Sequence, residues 1–384
     1  VTGSASTSPK SGKAGRAFAR EPMKPTSKRT KRDGAWYALP VVTVGVFLLF
    51  TVVGGLGYFE FSPPEKTCIS CHEIVPSYGH WTNSVHRSVS CKQCHGGSAT
   101  SVHALRENMK RVVSHLTKTR HENIRLSEEQ TVNMLQACQS CHAREFAYWR
   151  QGGHGTNYAG IFMDEKHNKT EQMADECLRC HGMFFEGKMA NMVTPLDTKG
   201  PWRFRNPATA ERPVIPCLAC HDLHAPGQPF KRPPAQMAGV TTNLPAFRRD
   251  ILAFYVRQEG THFAIDDLSV PKVFDQGRPV KVSSDPRQRL CTQCHAPNAF
   301  GQAGTGDDRT PTGVHEGISC VACHAPHSND TRASCALCHP ARSSCGLDVT
   351  KMDTTFRSGL SKHNIHSVRC LDCHPAGVPK KRAD

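Results

Sequence analysis

The feature that most constrains this chain is the motif Cys-x-x-Cys-His, which occurs nine times in 384 residues and uses all but one of the 19 cysteines. A disulfide framework would not place a histidine after every second cysteine, and structural zinc would use the Cys-x-x-Cys units in pairs. The pattern is that of c-type haem attachment, in which two thiols form thioethers to the porphyrin and the histidine binds the iron. Numbered 1 to 9 in chain order, the motifs carry the cysteine pairs Cys68/Cys71, Cys91/Cys94, Cys138/Cys141, Cys177/Cys180, Cys217/Cys220, Cys291/Cys294, Cys320/Cys323, Cys335/Cys338 and Cys370/Cys373 and the histidines His72, His95, His142, His181, His221, His295, His324, His339 and His374.

The composition indicates an interior in which haem replaces much of the usual aliphatic core. Hydrophobic residues make up 38% of the chain, and one apolar stretch near the N-terminus takes a large share of them. The roughly 325 residues that follow this stretch are too few for nine separate haem pockets, so the haems must share walls. We therefore predict a mainly α fold with little regular secondary structure and a haem-filled core. Longer helices are expected over Val102–Val113, continuing towards Ile124, and from a capping box at Ser127 to Ala137, and Asn243–Gln258 is a further amphipathic run.

Residues 35–59 contain no charged side chain, and they are long enough to span a bilayer as a tilted helix. Aromatic residues lie at both ends of the stretch, where interfacial rings are favoured: Trp36, Tyr37, Tyr58 and Phe59. The alternative is a cleaved signal peptide, which would have a shorter apolar region and a clear cleavage site of small residues. The sequence predicts a single retained transmembrane anchor.

The segment before the anchor, residues 1–34, is strongly basic. It contains nine Lys or Arg residues against Glu21 and Asp33, so it carries +7 of the net charge of +15. By the positive-inside rule this tail is cytoplasmic, which places the haem region in the periplasm of a bacterial inner membrane. The remaining positive charge is expected to pair with haem propionates, and no nucleic-acid partner is predicted.

The spacing of the motifs divides the haem region into two predicted modules. Motifs 1 to 4 lie in a tetrahaem module over residues 60–200, and motifs 5 to 9 lie in a pentahaem module over residues 201–384. Runs rich in Pro and Gly over 194–216 and 225–234 have the composition of linkers.

The 22 histidines exceed the nine motif positions by 13, enough to give most haems a second axial histidine. His86, His315 and His366 each precede a motif by four or five residues, whereas His224 and His327 each follow a motif histidine by three. A histidine so close to its own motif cannot easily reach that motif's iron, so we expect it to bind a neighbouring haem. The alternative for each is a surface histidine or a propionate partner. The predicted distal ligands are His86, His154, His167, His224, His262, His315, His327, His363 and His366; His80, His103, His115 and His121 are weaker candidates.

Residues 36–181 resemble the NapC/NirT/NrfH family of membrane-anchored quinol dehydrogenases. The resemblance rests on the anchor, on Cys68-Ile-Ser-Cys71-His72-Glu-Ile, and on Ser84-Val-His86-Arg-Ser-Val-Ser-Cys91-Lys-Gln-Cys94-His95, followed by two further motifs. It implies a first haem at the membrane surface that receives electrons from quinol, with His86 a distal ligand of another haem. It also implies a quinol-contacting lysine after motif 2, for which Lys110 is the candidate. Where family members commonly have Met, two residues after the first motif histidine, this chain has Ile74.

These features leave three functional hypotheses. The first is a quinol-oxidising conduit that passes electrons through nine haems to a periplasmic or membrane-bound redox partner, and thus a possible quinol dehydrogenase. The second is a non-catalytic electron-transfer subunit of a larger membrane complex. The third is a terminal reductase of a small nitrogen or sulfur compound, which would need an open haem site and the Cys-x-x-Cys-Lys motif that this sequence lacks. Cys345, outside the motifs, is expected to be an inert thiol.

Overall fold

The computed structural model describes residues 35–63, 66, 68–95, 113, 117, 126–224, 251–296, 309–324, 327, 332–339 and 364–377. Lys110, Cys345, His363, and the weaker histidine candidates at 103, 115 and 121 lie outside these residues.

The described fold is mainly helical with little strand, as predicted. Several of the short helices coincide with haem-attachment motifs, because a Cys-x-x-Cys-His sequence spans five residues, little more than one helical turn. The helices are α1 Ala35–Phe61, α2 Val75–Thr82, α3 Cys91–His95, α4 Glu128–Cys141, α5 Ala143–Gln151, α6 Tyr158–Phe162, α7 Glu165–Asn168, α8 Met189–Met192, α9 Pro286–His295, α10 Cys320–Cys323, α11 Arg332–Cys335 and α12 Cys370–Cys373. Short 3₁₀ segments lie at His72–Ile74, Gly153–Gly155, Asp175–Arg179, Pro207–Thr209, Cys217–Ala219, Ile265–Asp267 and Gly313–His315.

The described strands form three antiparallel pairs, β1 with β2, β3 with β4 and β5 with β6. In the longest pair Phe254 lies opposite Phe263 and Tyr255 lies opposite His262. The strands are β1 Val193–Thr194, β2 Arg203–Phe204, β3 Ala253–Val256, β4 Thr261–Ala264, β5 Phe274–Asp275 and β6 Arg278–Pro279.

The predicted helix that opens at Ser127 is confirmed, the one over 243–258 is wrong, and the one from Val102 towards Ile124 lies largely outside the described residues. At the start of α4, the Ser127 side chain accepts a hydrogen bond from the Gln130 backbone N–H, and the Gln130 side chain accepts one from the Ser127 N–H, which is the predicted capping box. The predicted helix over 243–258 instead contains strand β3. Its residues Ala253-Phe-Tyr-Val256 are mostly aromatic or β-branched, and such side chains pack better across an antiparallel pair than along a helix.

Side chains from distant parts of the sequence form a core next to several motifs. The first cluster contains Met134 of α4, Met183, Leu218 and Phe254, and Cys220 and Cys294 pack against it. The second cluster includes Tyr158, Leu178, Met189 and Val214. Between them, the Tyr158 hydroxyl donates to Glu128 Oε1 (2.5 Å) while Arg212 Nη1 donates to Glu128 Oε2 (2.6 Å). The first cluster draws residues from both sides of position 200, so motifs 4, 5 and 6 share one apolar environment.

Helix α1 covers the predicted anchor. The structure describes the side chains of α1 at residues 39–55, 57–58 and 61. Among these, the apolar side chains from Leu39 to Val53 are exposed. Across the residues that the structure describes, no helix has both the length and the apolar composition needed to cross a membrane. The chain up to Gly57 and the chain from Tyr58 onward form separate compact units, and every motif lies in the second unit.

Candidate haem sites

The motifs fold into short helical turns that bring their reactive side chains to one side. In six motifs the histidine N–H donates to the carbonyl of the first cysteine, for example His142 to Cys138 and His324 to Cys320, both at 2.8 Å. Residues three and four apart lie on the same face of such a turn. Both thiols and the imidazole of one motif can therefore reach the same side of a porphyrin. The other four bonds of this kind join His181 to Cys177, His221 to Cys217, His339 to Cys335 and His374 to Cys370.

Six motif histidines each face a histidine from outside the motifs. The ring centroids within each pair are 5.9–6.4 Å apart. All six non-motif members are among the predicted distal ligands. The pairs are His95–His224 (motif 2), His142–His86 (motif 3), His221–His327 (motif 5), His295–His154 (motif 6), His324–His366 (motif 7) and His339–His315 (motif 8).

This separation fits an iron held between two imidazoles. A metal–imidazole bond is about 2 Å long and a five-membered ring has its centre about 1.1 Å from each atom, so two axial rings on one metal have centroids roughly 6 Å apart. Rings in direct contact would be closer, as in the stacked pair Phe184–Tyr255 with centroids 4.1 Å apart. The donor set is the one that low-spin c-type haem uses.

Hydrogen bonds orient several of the non-motif histidines. His315 Nδ1 lies 3.0 Å from the Ile365 carbonyl oxygen, and His366 Nδ1 lies 3.3 Å from Asn364 Oδ1. An Nδ1–H donated to such an acceptor leaves Nε2 deprotonated and free to bind a metal. His86 is fixed through its backbone, because its N–H donates to Ser84 Oγ (3.0 Å) and its carbonyl accepts from the Trp81 indole (2.9 Å).

Six of the paired histidines have a lowered pKa, which favours the neutral imidazole that iron binding requires. Burial, and next the neighbouring His327, lowers the pKa of His221 to about 4. Burial is also the main cause of the lowered pKa of His86, with His142 the second. The pKa values of His154, His224, His324 and His327 are likewise lowered, mainly by burial.

Cysteine side chains from different motifs approach one another within the haem region. Cys138 hydrogen-bonds Cys217, Cys180 bonds Cys294, and Cys291 bonds Cys320. These contacts are the main cause, and burial the second, of the raised pKa values of Cys217, Cys294 and Cys320. The attachment points of motifs 3 and 5, 4 and 6, and 6 and 7 are therefore adjacent.

The motif cysteines differ in how far the protein covers them. Those whose side chains the structure describes are free thiols, as haem attachment requires, because each sulfur must be available to form a thioether. Four of them are exposed and the others are partly buried. The exposed thiols are those of Cys71, Cys141, Cys338 and Cys370.

Cys338 of motif 8 is one of the exposed thiols. Its N–H donates to the Cys335 carbonyl (3.0 Å) in the turn that follows α11, so the motif keeps its helical geometry. A single turn packed on one side leaves its other side uncovered, and the adjacent Leu337 is 37% exposed there as well. Motif 7 lies close to motif 8. Burial is the main cause of the raised pKa of Cys323 in motif 7, and the nearby thiols of Cys335 and Cys338 in motif 8 raise it further.

Two other predicted ligands have different surroundings. His262 Nε2 lies 2.6 Å from the Leu218 carbonyl oxygen inside motif 5, and its ring packs against Tyr255. The His167 side chain is 55% exposed, and its Nε2 lies 3.7 Å from Glu171 Oε2. Among the motif histidines, His72 Nε2 lies 3.3 Å from Glu73 Oε1, and its side chain is 76% exposed.

The structure also assigns a role to residues that the sequence analysis did not consider. Asp285 caps α9, which carries motif 6, by accepting a hydrogen bond from the Arg287 N–H (3.0 Å). The same carboxylate accepts a bond from Ser319 Oγ (3.0 Å), the residue before motif 7. The sequence signal for the cap is Asp-Pro at a helix start, but nothing in the sequence indicates the bond to Ser319.

The motifs, the histidine pairs and the short helical turns define the class of this protein: it is a multihaem c-type cytochrome of electron transfer, with haem c attached covalently. Family models support this class. Residues 64–228 match the family described as outer membrane cytochrome MtrC/MtrF-like, domains II/IV, and residues 270–325 match cytochrome c554 and c-prime. No solved structure matches the chain.

Two relatives narrow the class, and they confirm the predicted resemblance to NapC/NirT/NrfH cytochromes. The cytochrome c-type protein NrfH of Wolinella succinogenes is 26% identical over 165 residues, which is 41% of this chain and 88% of NrfH. The cytochrome c-type protein ImcH of Geobacter sulfurreducens is 22% identical over 399 aligned positions, covering 87% of this chain and 76% of ImcH. The ImcH alignment thus extends beyond the segment that resembles NrfH.

Proposed function

We propose that this chain is a membrane-anchored cytochrome that carries nine haems and passes electrons from the membrane quinol pool to a periplasmic redox partner. The observation that carries the proposal is the set of six histidine pairs. A haem iron with two protein ligands has no position left for a substrate, so such irons serve electron transfer. When bound, haem supplies reversible one-electron chemistry between ferric and ferrous iron.

The residues of the chain hold and insulate these groups. In the proposal each motif's two cysteines attach one porphyrin, and its histidine is the proximal ligand. The six paired non-motif histidines are distal ligands, while His262 positions the motif 5 turn through the Leu218 carbonyl. His363 remains a candidate for the iron of another motif, whereas His167, exposed beside Glu171, is not assigned to an iron.

The anchor and the quinol site are the finer parts of the proposal. Support for the anchor comes from the uncharged stretch, the continuous helix α1 with exposed apolar side chains, and the basic tail that precedes it. The N-terminus would then be cytoplasmic and the haem region periplasmic. The similarity to NrfH, together with the resemblance of motifs 1 to 4 to the quinol dehydrogenase family, supports quinol as the electron donor, with Lys110 as the candidate contact.

A second candidate, a subunit that receives electrons from a partner protein, is favoured by one observation. Ile74 ends the 3₁₀ turn after motif 1, where the resembling family commonly has Met. A first haem with a different environment need not accept electrons from quinol.

Stopped-flow absorption of the purified holoprotein distinguishes the two candidates. A reduced quinol analogue should reduce the haems rapidly, and the K110A variant should be slower by about tenfold, equivalent to about 1.4 kcal/mol of barrier. The exposed K169A variant, which loses only an ion pair with Glu165, is the matched control. Inertness toward quinol, with dithionite reduction intact, would contradict the first candidate and favour the second.

A further inference from the structure

One short segment, residues 313–327, contributes a ring to three of the six histidine pairs. His324 belongs to motif 7 and faces His366 at 6.0 Å. His327 faces His221 of motif 5 at 5.9 Å, and His315 faces His339 of motif 8 at 6.4 Å. The three pairs contain three different motif histidines, so the segment contacts three haem sites.

The beginning of the segment is tied to the chain just before motif 9. Thr312 N–H donates to the His366 carbonyl (2.6 Å), and Val314 N–H donates to the Val368 carbonyl (2.9 Å). Gly313 makes this approach possible: its φ is +65°, and a Cβ there would lie 2.1 Å from the Val368 oxygen. These bonds hold His315 and His366 in register, each with its Nδ1 beside an oxygen atom.

The middle of the segment is fixed from two other directions. Arg278 donates to both carboxylate oxygens of Glu316 (2.8 and 2.5 Å), and the Lys281 N–H donates to the same group (2.9 Å). Ser319 donates to Asp285 at the start of the motif 6 helix, and Ser334, next to motif 8, donates to the Cys323 carbonyl (2.9 Å). The segment is thus held on the side of motif 6 and on the side of motif 8.

The end of the segment has an unusual backbone conformation. His327 has φ of +55°, in the left-handed region that residues with a side chain rarely adopt. In that conformation the imidazole of His327 faces His221. His324, only three residues earlier, has its ring facing His366. Strain of this kind persists where surrounding contacts hold it, and it concentrates at functional sites.

We propose that residues 313–327 form a three-iron ligand segment, in which His324 binds the iron of motif 7, His327 that of motif 5 and His315 that of motif 8. This inference rests on the proposed haem-carrying function and assigns its ligands. It makes the motif 7 turn the structural link between the haem of motif 5 and those of the last motifs. Substitution of His315 or His327 should then affect a haem attached elsewhere in the sequence.

The test counts high-spin ferric irons by EPR in the full-length oxidised holoprotein. H327A should create one high-spin iron per chain, because one haem loses its distal ligand. In a background without the motif 5 haem (C217A/C220A), H327A should create none. In the matched background without the motif 7 haem (C320A/C323A), it should still create one.

A second, independent pair keeps the test informative if the C217A/C220A protein does not fold. H315A should create one high-spin iron, and none when the motif 8 haem is removed by C335A/C338A. High-spin irons that persist after loss of the assigned haem would overturn the ligand assignment. Because wild-type haem content and quinol reduction are measured separately, such a result would leave the proposed function standing, whereas a wild-type protein without low-spin haem would overturn both.

Discussion

A histidine close to a haem motif has its reach limited by the chain that joins it to the motif. His327 is three residues after His324, too close to fold back onto the iron that His324 binds, and in the structure it faces His221 instead. His86, five residues before Cys91 of motif 2, similarly faces His142 of motif 3. The sequence therefore predicts that such histidines serve other haems, but not which ones.

At the residue scale, H86M should change one haem and leave the others intact. Methionine can replace histidine as an axial ligand, and His/Met ligation raises the potential, here by on the order of 0.1 V within the ~0.8 V range that axial ligands span. A redox titration followed in the Soret region measures the shift, and the near-infrared absorption identifies sulfur ligation.

H167M is the matched control for this substitution. His167 is another non-motif histidine, but it lies exposed beside Glu171. Its replacement should leave every midpoint potential unchanged. Equal shifts in the two variants, or a shift in H167M alone, would contradict the placement of His86 opposite His142.

At the element scale, a short sequence motif predicts a helix start correctly when the hydrogen bonds that form it join neighbouring residues. The Ser127 capping box opens α4 because both reciprocal hydrogen bonds lie within four residues. The segment around Ala253 forms a strand because it pairs with β4, which begins five residues after β3 ends, and because Phe254 packs on core residues from elsewhere in the sequence, such as Met183 and Leu218. Periodicity over a short apolar run does not separate these two outcomes.

Gly313 is the residue on which the contact between the segment 313–327 and the chain before motif 9 depends most. We expect G313A to destabilise the holoprotein by at least about 1–3 kcal/mol, since alanine is disfavoured at positive φ and its Cβ would clash with the Val368 carbonyl. Thermal denaturation followed by haem absorption measures the loss. G79A is the control, because a Cβ at Gly79 in α2 meets no atom within 4 Å; equal effects would argue against the close approach at Gly313.

Helix α1 allows a test of the proposed anchor. A single arginine near its centre, F47R, should weaken membrane insertion by about 2.5–3.5 kcal/mol, the cost of arginine in the middle of a spanning helix. More of the protein should then leave the membrane fraction on alkaline washing, whereas F47L should behave as the wild type. Indistinguishable distribution of F47R and wild type between the fractions would contradict a spanning role for α1.

At the scale of the whole molecule, the sequence was most informative about chemistry and least informative about arrangement. Nine motifs predict nine attachment points and proximal ligands without any knowledge of the fold. Which histidines face each other depends on contacts such as Ser319 with Asp285 and Thr312 with His366, which join positions far apart in the chain. A count of histidines also gives no surroundings: His262, one of the predicted ligands, has its Nε2 2.6 Å from the Leu218 carbonyl oxygen.

The net charge of +15 is distributed unevenly along the chain. The basic tail accounts for nearly half of it. The rest is spread over a region in which ionised propionates of nine haems would supply compensating negative charge. We therefore interpret the basic residues of the haem region as partners of the cofactors.

The central claim is that the paired histidines are axial ligands of electron-transfer haems. Near-infrared magnetic circular dichroism of the oxidised full-length holoprotein, normalised to its haem content, counts the irons that carry two imidazole ligands. The account predicts nine haems per chain, at least six of them with bis-histidine ligation. Fewer than six such irons, or a majority of high-spin haems, would contradict it.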